Sequence, residues 1–300
     1  MQTITQGRFP RLAYIFFGGI LGVFIIATGN TTQAKPDNSL KQIEQEIIEE
    51  IKKHPVKPNE SMDKPLEFIL AAVRSFENVK DYSATLFQLE RIKGKLLPEA
   101  SIQLQATAGK PFHLHMKWSE PRALKGQEAI YTSTKDPSKM RVKGAGFLGA
   151  VGFITLDIND PKSTSNNRHN VSEAGLEMLL KTLEHGWIEE GQRKATEVLI
   201  SDVVCYDRAC TRLELTHPTN TDGYFLFYKN IVFFDKENNL PIRIENYSWP
   251  KDGESAPLEE AYGYKDLKLN PARFPYCPPA AARHHTPAWH LYVLGSNSTA

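Results

Sequence analysis

Four groups of residues in this 300-residue chain are of types that do chemistry. His113 and His115 stand two apart in an alternating stretch, so a strand would point both imidazoles to one face. Such a pair can begin a metal site, but zinc takes three or four protein ligands. No third ligand is positioned, and Lys117 on the same face would repel a cation. No metal is expected. Arg168-His169 precedes an apolar helical stripe. His169 could act as a general base, or it could tie a helix entry into a hydrogen-bond network. No partner nucleophile is evident, so the pair is read as a candidate polar site with a structural role. Cys205 and Cys210 flank Tyr-Asp-Arg-Ala between two strand-like runs, where a disulfide could bridge the neck of a hairpin. The alternative is two thiols that flank a turn. Gly144-Ala145-Gly146-Phe147-Leu148-Gly149 matches GxGxxG, but that fingerprint needs a helix opening at the last glycine. The next residues, Ala150 to Asp157, read as strand or loop, so no nucleotide cofactor is expected.

Many short strands must carry these residues. They are expected near 81–92, 99–107, 111–118, 127–133, 139–143, 153–156, 195–205, 210–217, 224–234, 240–248 and 259–268, with turn residues between them. Phe112, Leu114, Met116 and Trp118 alternate with His113, His115 and Lys117; Leu240, Ile242 and Ile244 alternate with Arg243 and Glu245. The run 224–234, with Phe225 and Phe227, is apolar on both faces and must be covered on both sides. Helices are expected over 39–53, over 64–78 with Asp63 as cap, and over 172–190 with Ser172 as cap. This pattern predicts an α+β fold, a curled antiparallel sheet forming a half-open barrel around helices.

Arg8 and Arg11 precede an apolar run from Leu12 to Thr28 and a small-residue exit ending at Ala34. That is the pattern of a secretory signal peptide, with an uncleaved inner-membrane anchor over 12–28 as the alternative. The remaining chain is divided into a helical lead-in (35–60), one curled-sheet domain (61–270) and an irregular end (271–300). A net charge of +1 leaves no polybasic footprint for nucleic acid.

At PF…MKW…GQEAIY, RHNVSEAGL, LPIRIENYSWP and YGYKDLKLN the chain resembles a family of bacterial envelope proteins catalogued as domain of unknown function 1571. That family in turn looks like the LolA/LolB lipoprotein carriers. The resemblance implies a periplasmic location, a half-open barrel, and an acyl chain or acylated lipoprotein as partner, with a membrane surface nearby. It carries no catalytic residues. After Asn270 the sequence loses all Asp and Glu and departs from the pattern, which reads as an aberrant end or, if genuine, as a disordered one with Cys277 an incidental thiol. The expected function is non-enzymatic binding of a hydrophobic ligand by Phe112, Leu114, Met116, Trp118, Phe225 and Phe227. The alternatives are an assembly factor with a filled core and an envelope enzyme using His169.

Overall fold

The computed structural model describes residues 62–271, apart from 135, 162–164, 166, 194, 219 and 221–222. The expected signal or anchor, the helical lead-in and the tail with Cys277 lie outside the described residues. Among those described, no helix is long and apolar enough to cross a membrane.

Helix α1 (Asp63–Phe76) leads into strands β1 (Asp81–Ile92), β2 (Lys95–Leu96), β3 (Ala100–Thr107), β4 (His113–Glu120), β5 (Glu128–Thr132), β6 (Lys139–Lys143) and β7 (Phe153–Asp157). A long connection then reaches helix α2 (Leu176–Arg193). Strands β8 (Glu197–Cys205), β9 (Arg208–Thr216), β10 (Lys229–Asp235), β11 (Pro241–Tyr247) and β12 (Leu258–Leu269) complete the domain. All pair antiparallel in the order β7-β6-β5-β4-β3-β1-β12-β11-β10-β9-β8, with β2 pairing off β1. The sheet curls without closing, a half-open barrel with edges at β7 and β8. Two meanders run outward from its centre, where the first long strand pairs with the last.

The inner face is apolar by alternation. Ile102, Leu104 and Ala106 of β3 sit opposite Trp118, Met116 and Leu114 of β4, and all are buried. Both helices pack on this face through their apolar stripes. Ile69, Val73 and Phe76 of α1 and Leu179, Leu180, Leu183 and Trp187 of α2 are fully buried. Phe234 of β10 takes Phe68 at a ring distance of 5.3 Å and Trp187 at 6.3 Å, while Phe76 meets Tyr82 of β1 at 6.2 Å. The helices therefore fill the half of the barrel around β1 and β8–β12.

Several expectations change. Helix α2 starts at Leu176 rather than Ser172. Ser172 lies in a separate 3-10 turn whose first N–H groups are served by Asn170, and the Tyr82 hydroxyl accepts the Leu176 N–H at 2.9 Å. Strand β10 starts at Lys229, not Tyr224, because the Asn220 side chain brackets Phe225, accepting its N–H at 2.9 Å and donating to its C=O at 2.8 Å. The alternation of Leu240, Ile242 and Ile244 is broken by a register shift opposite Phe233 and Phe234. Ile244 and Leu240 enter the main core, whereas Ile242 packs with Cys205 and Cys210 on the outer face.

The disulfide is not formed: Cys205 and Cys210 are both buried free thiols. The turn at Tyr206-Asp207 has two positive φ values and pairs Cys205 with Arg208 and Cys210 with Val203, setting the cysteines two positions out of step. Burial pushes the Cys205 thiol up to about 11, helped by neighbouring Cys210. These thiols are expected to react slowly with maleimide in the native protein at pH 8. Unfolded without reductant, the chain should take up three labels, one for each cysteine. Uptake of only one would restore the bridge.

Candidate functional site

The other half of the barrel is not filled by helix. Over β1 and β3–β7 the inner face is covered by the connection between β7 and α2, and a cavity of about 480 Å³ remains beneath it. Leu86 of β1, Met116 and Trp118 of β4, Ala129 of β5, Met140 and Val142 of β6 and Leu156 of β7 supply its apolar wall. These are inward positions of the curled sheet, brought together by period-two alternation. Val171, Ala174 and Gly175 close it from above. The cover is thus a loop and a 3-10 turn, not either long helix.

One end of the cavity is polar. Gln88 and Glu90 continue the inward face of Tyr82, Ala84 and Leu86 on β1, and Glu90 stands opposite Glu260 on β12. Glu260 in turn stands opposite Asn246 of β11, and Asn246 opposite Asn230 of β10. All four are buried, so a polar rung crosses four neighbouring strands on the apolar side of the sheet. Asn230 donates to Asn246 at 2.6 Å and Asn246 donates to Glu260 at 2.7 Å. The Tyr262 hydroxyl donates to Glu90, whose other oxygen accepts the Arg168 N–H at 3.1 Å.

Arg168 and His169 meet this rung from the connection above. His169 Nε2 lies 2.9 Å from Glu260 and its Nδ1 lies 3.4 Å from Glu173. Arg168 Nε is 2.7 Å from Glu260 but off line for a hydrogen bond, so that contact is ionic; its other arm reaches Glu259 at 3.2 Å. A carboxylate this deep is tolerated only with such partners. Glu90, Glu173, His169, Tyr262, Gln88, Asn167 and Asn170 face the cavity itself.

The Glu173 carboxyl is held above its ordinary value by burial, which outweighs the lowering by His169 and by the backbone at Asn170. A carboxyl with a raised folded pKa binds its proton more readily folded than unfolded. Stability therefore falls as pH rises from 4.5 through the raised value, and above it the charged form carries the full penalty. Glu173→Gln is expected to raise the urea midpoint at pH 7 and to leave it nearly unchanged at pH 4. An equal shift at both pH values would show that the carboxyl's charge is not the cause.

The candidate residues of the sequence divide. Trp118 and Met116 line the cavity, and Arg168 and His169 sit at its polar end. Leu114 is buried opposite Ala106, deeper in the core. Phe112 packs on Tyr131 with a ring distance of 6.1 Å and lies close over Gly175. Phe225 stacks on the buried His217 at 4.0 Å, and the Phe227 carbonyl lies 2.8 Å from His217 Nδ1. Neither aromatic lines the cavity; His217, which both contact, is met by Glu190 of α2 at 3.1 Å. His113 and His115 share the outer face; His115 contacts Glu128 at 3.0 Å, and Lys143 contacts the same carboxylate at 3.3 Å. Among the described residues no group of three His, Cys, Asp or Glu could hold a metal ion. Glu90, Glu260, Asn246 and Asn230 were not singled out in the sequence. The available signal was polar residues at inward positions of otherwise apolar faces.

A family model described as a protein of unknown function (DUF1571) matches residues 79–274, well over half of the chain. The chain belongs to the DUF1571 family. The match covers the whole sheet, the connection and helix α2 of this DUF1571 protein. No protein of curated function matches its sequence. Solved structures similar to it include the following three. A DUF1329 family protein from Desulfovibrio piger is 14% identical, covering 69% of this chain and 94% of its own, with a TM-score of 0.33. A LolA superfamily protein from Nitrosomonas europaea is 13% identical, covering 69% and 94%, with a TM-score of 0.26. The Pseudomonas aeruginosa MucA/MucB complex supplies a chain 10% identical, covering 71% and 59%, with a TM-score of 0.39.

Proposed function

We propose that this DUF1571 protein is a non-enzymatic, exported binding protein of the cell envelope, and that its cavity takes up a hydrophobic chain such as that of a lipid or an acylated lipoprotein. One observation carries the reading: an unfilled cavity of about 480 Å³ with an apolar wall and one polar end. A cleft of this size with an apolar wall, open beside Leu148 and Val151, can take a ligand's apolar surface out of water. The volume lies within the range of small-molecule sites, roughly 300–1,000 Å³. Each methylene moved from water into the wall contributes about 0.8 kcal/mol, so an acyl chain would bind well there. The polar end then serves the head group.

The geometry of His169 supports binding over catalysis. Its ring nitrogens lie 2.9 Å from Glu260 and 3.4 Å from Glu173, so both are turned toward carboxylates of the protein itself. Its role is to fasten the connection over the polar rung. Native mass spectrometry of the purified chain, with lipid extraction of the same sample, tests the proposal. A bound acylated species would support it and name the cargo. A clean mass with no uptake of offered palmitate or lysophospholipid would leave the cavity without a ligand and sink the reading.

A further inference from the structure

The glycine-rich connection from β6 to β7, residues 144–152, turns three large apolar side chains into solvent. Phe147 is 91% exposed, Leu148 70% and Val151 74%. They sit on a 3-10 turn over Gly146–Val151 whose backbone is tightly wound. A Cβ on Gly144 would lie 2.7 Å from that of Leu148, and Gly146 has a φ of +54°. The glycine spacing that matched a nucleotide fingerprint here winds a turn that holds Phe147 outward. Single exposed apolar residues are ordinary, but a cluster beside a cavity mouth marks an interaction surface. Leu148 and Val151 also line the cavity, so the cluster is continuous with its interior.

Antiparallel pairing puts the β1–β2 and β4–β5 turns on the same rim as this loop. With the β11–β12 turn, which lies beside the end of β1 on the same rim, the exposed cations are Lys93, Lys95, Arg122, Lys125 and Lys251, against the exposed carboxylates of Glu99, Glu120, Asp252 and Glu254. Apolar side chains flanked by cations in slight excess match a bilayer interface bearing anionic lipid. We infer that this rim docks on an anionic membrane surface, with Phe147, Leu148 and Val151 among the acyl chains and the four cations of the β1–β2 and β4–β5 turns among the head groups. The cavity mouth then faces the lipid. The docking stands apart from the question of what the cavity holds.

Phe147→Trp in the full chain reads this directly, because the exposed position leaves the fold untouched. Its fluorescence is compared with the parent chain, whose own four tryptophans supply the background, on vesicles of brominated phosphatidylglycerol. Quenching in excess of the parent is expected. Replacing Lys93, Lys95, Arg122 and Lys125 by glutamine should weaken that excess by roughly a thousandfold in lipid concentration. No excess quenching would place the loop in water and overturn the inference. Equal quenching on brominated phosphatidylcholine would overturn the anionic match. A blue shift that grows with protein concentration, without vesicles, would make a second copy of the chain the occupant. Cargo uptake is measured separately, so the two proposals fail independently.

Discussion

Trp118→Asp will abolish ligand uptake by the cavity. Trp118 forms part of the apolar wall at 9% exposure, between Ile102 on β3 and the turn that returns to Gln127. The substitution removes the largest apolar surface in the wall and sets a carboxylate where an acyl chain would lie. Losing one large buried contact costs about 1.5–3 kcal/mol, and an unpaired charge adds to that. Affinity for an offered palmitoyl lysophospholipid should fall about 100-fold or more. Because Asp at a core position can also impair folding, Ala129→Phe is the companion test. It fills the same cavity from β5 without removing any wall and should block uptake in a protein that still unfolds cooperatively. Phe225→Leu, stacked on His217 outside the cavity, should leave uptake unchanged. Uptake that survives both Trp118→Asp and Ala129→Phe would place the ligand elsewhere or nowhere.

The second large effect is on stability. Glu260→Ala leaves Arg168, His169 and Asn246 facing an empty position in the interior. Removing one member of a buried ionic network costs roughly 3–5 kcal/mol, more than a typical surface substitution by far. The loss should be localised first. Amide exchange over 167–175 is expected to accelerate before exchange in β3 and β4, because Glu260 is what holds the connection down. Glu260→Gln, which keeps an acceptor for Asn246, should cost clearly less. A loss below about 1 kcal/mol for Glu260→Ala would mean that the rung does not fasten the cover.

Much of the sheet could be read from alternation, and its errors are instructive. Leu114, Met116 and Trp118 share one face, as their spacing requires, and all point inward. Only Met116 and Trp118 reach the cavity, because which part of an apolar face stays uncovered depends on where α1 and α2 land. Local spacing does not hold that information. Tyr224–Tyr228 has strand-like aromatics, but the nearby Asn220 side chain takes up the backbone groups of Phe225 and ends the resemblance. Arg168-His169 was visible as a helix entry. Its acidic partners were not, since Glu90 and Glu260 come from opposite ends of the domain and meet only through the pairing of β1 with β12.

That central seam also sets the order of events in folding. Neither meander can finish its inner face until Leu258–Leu269 arrives to join them, so the pairing that unites the two halves is among the last that a growing chain can make. Closing so long a loop is slow but adds little equilibrium cost, since the entropy grows only with the logarithm of length. A chain crossing a membrane N-terminus first would present β3–β7 with their apolar faces open throughout. Until the final strand docks, those open apolar faces leave the chain prone to association with others like it.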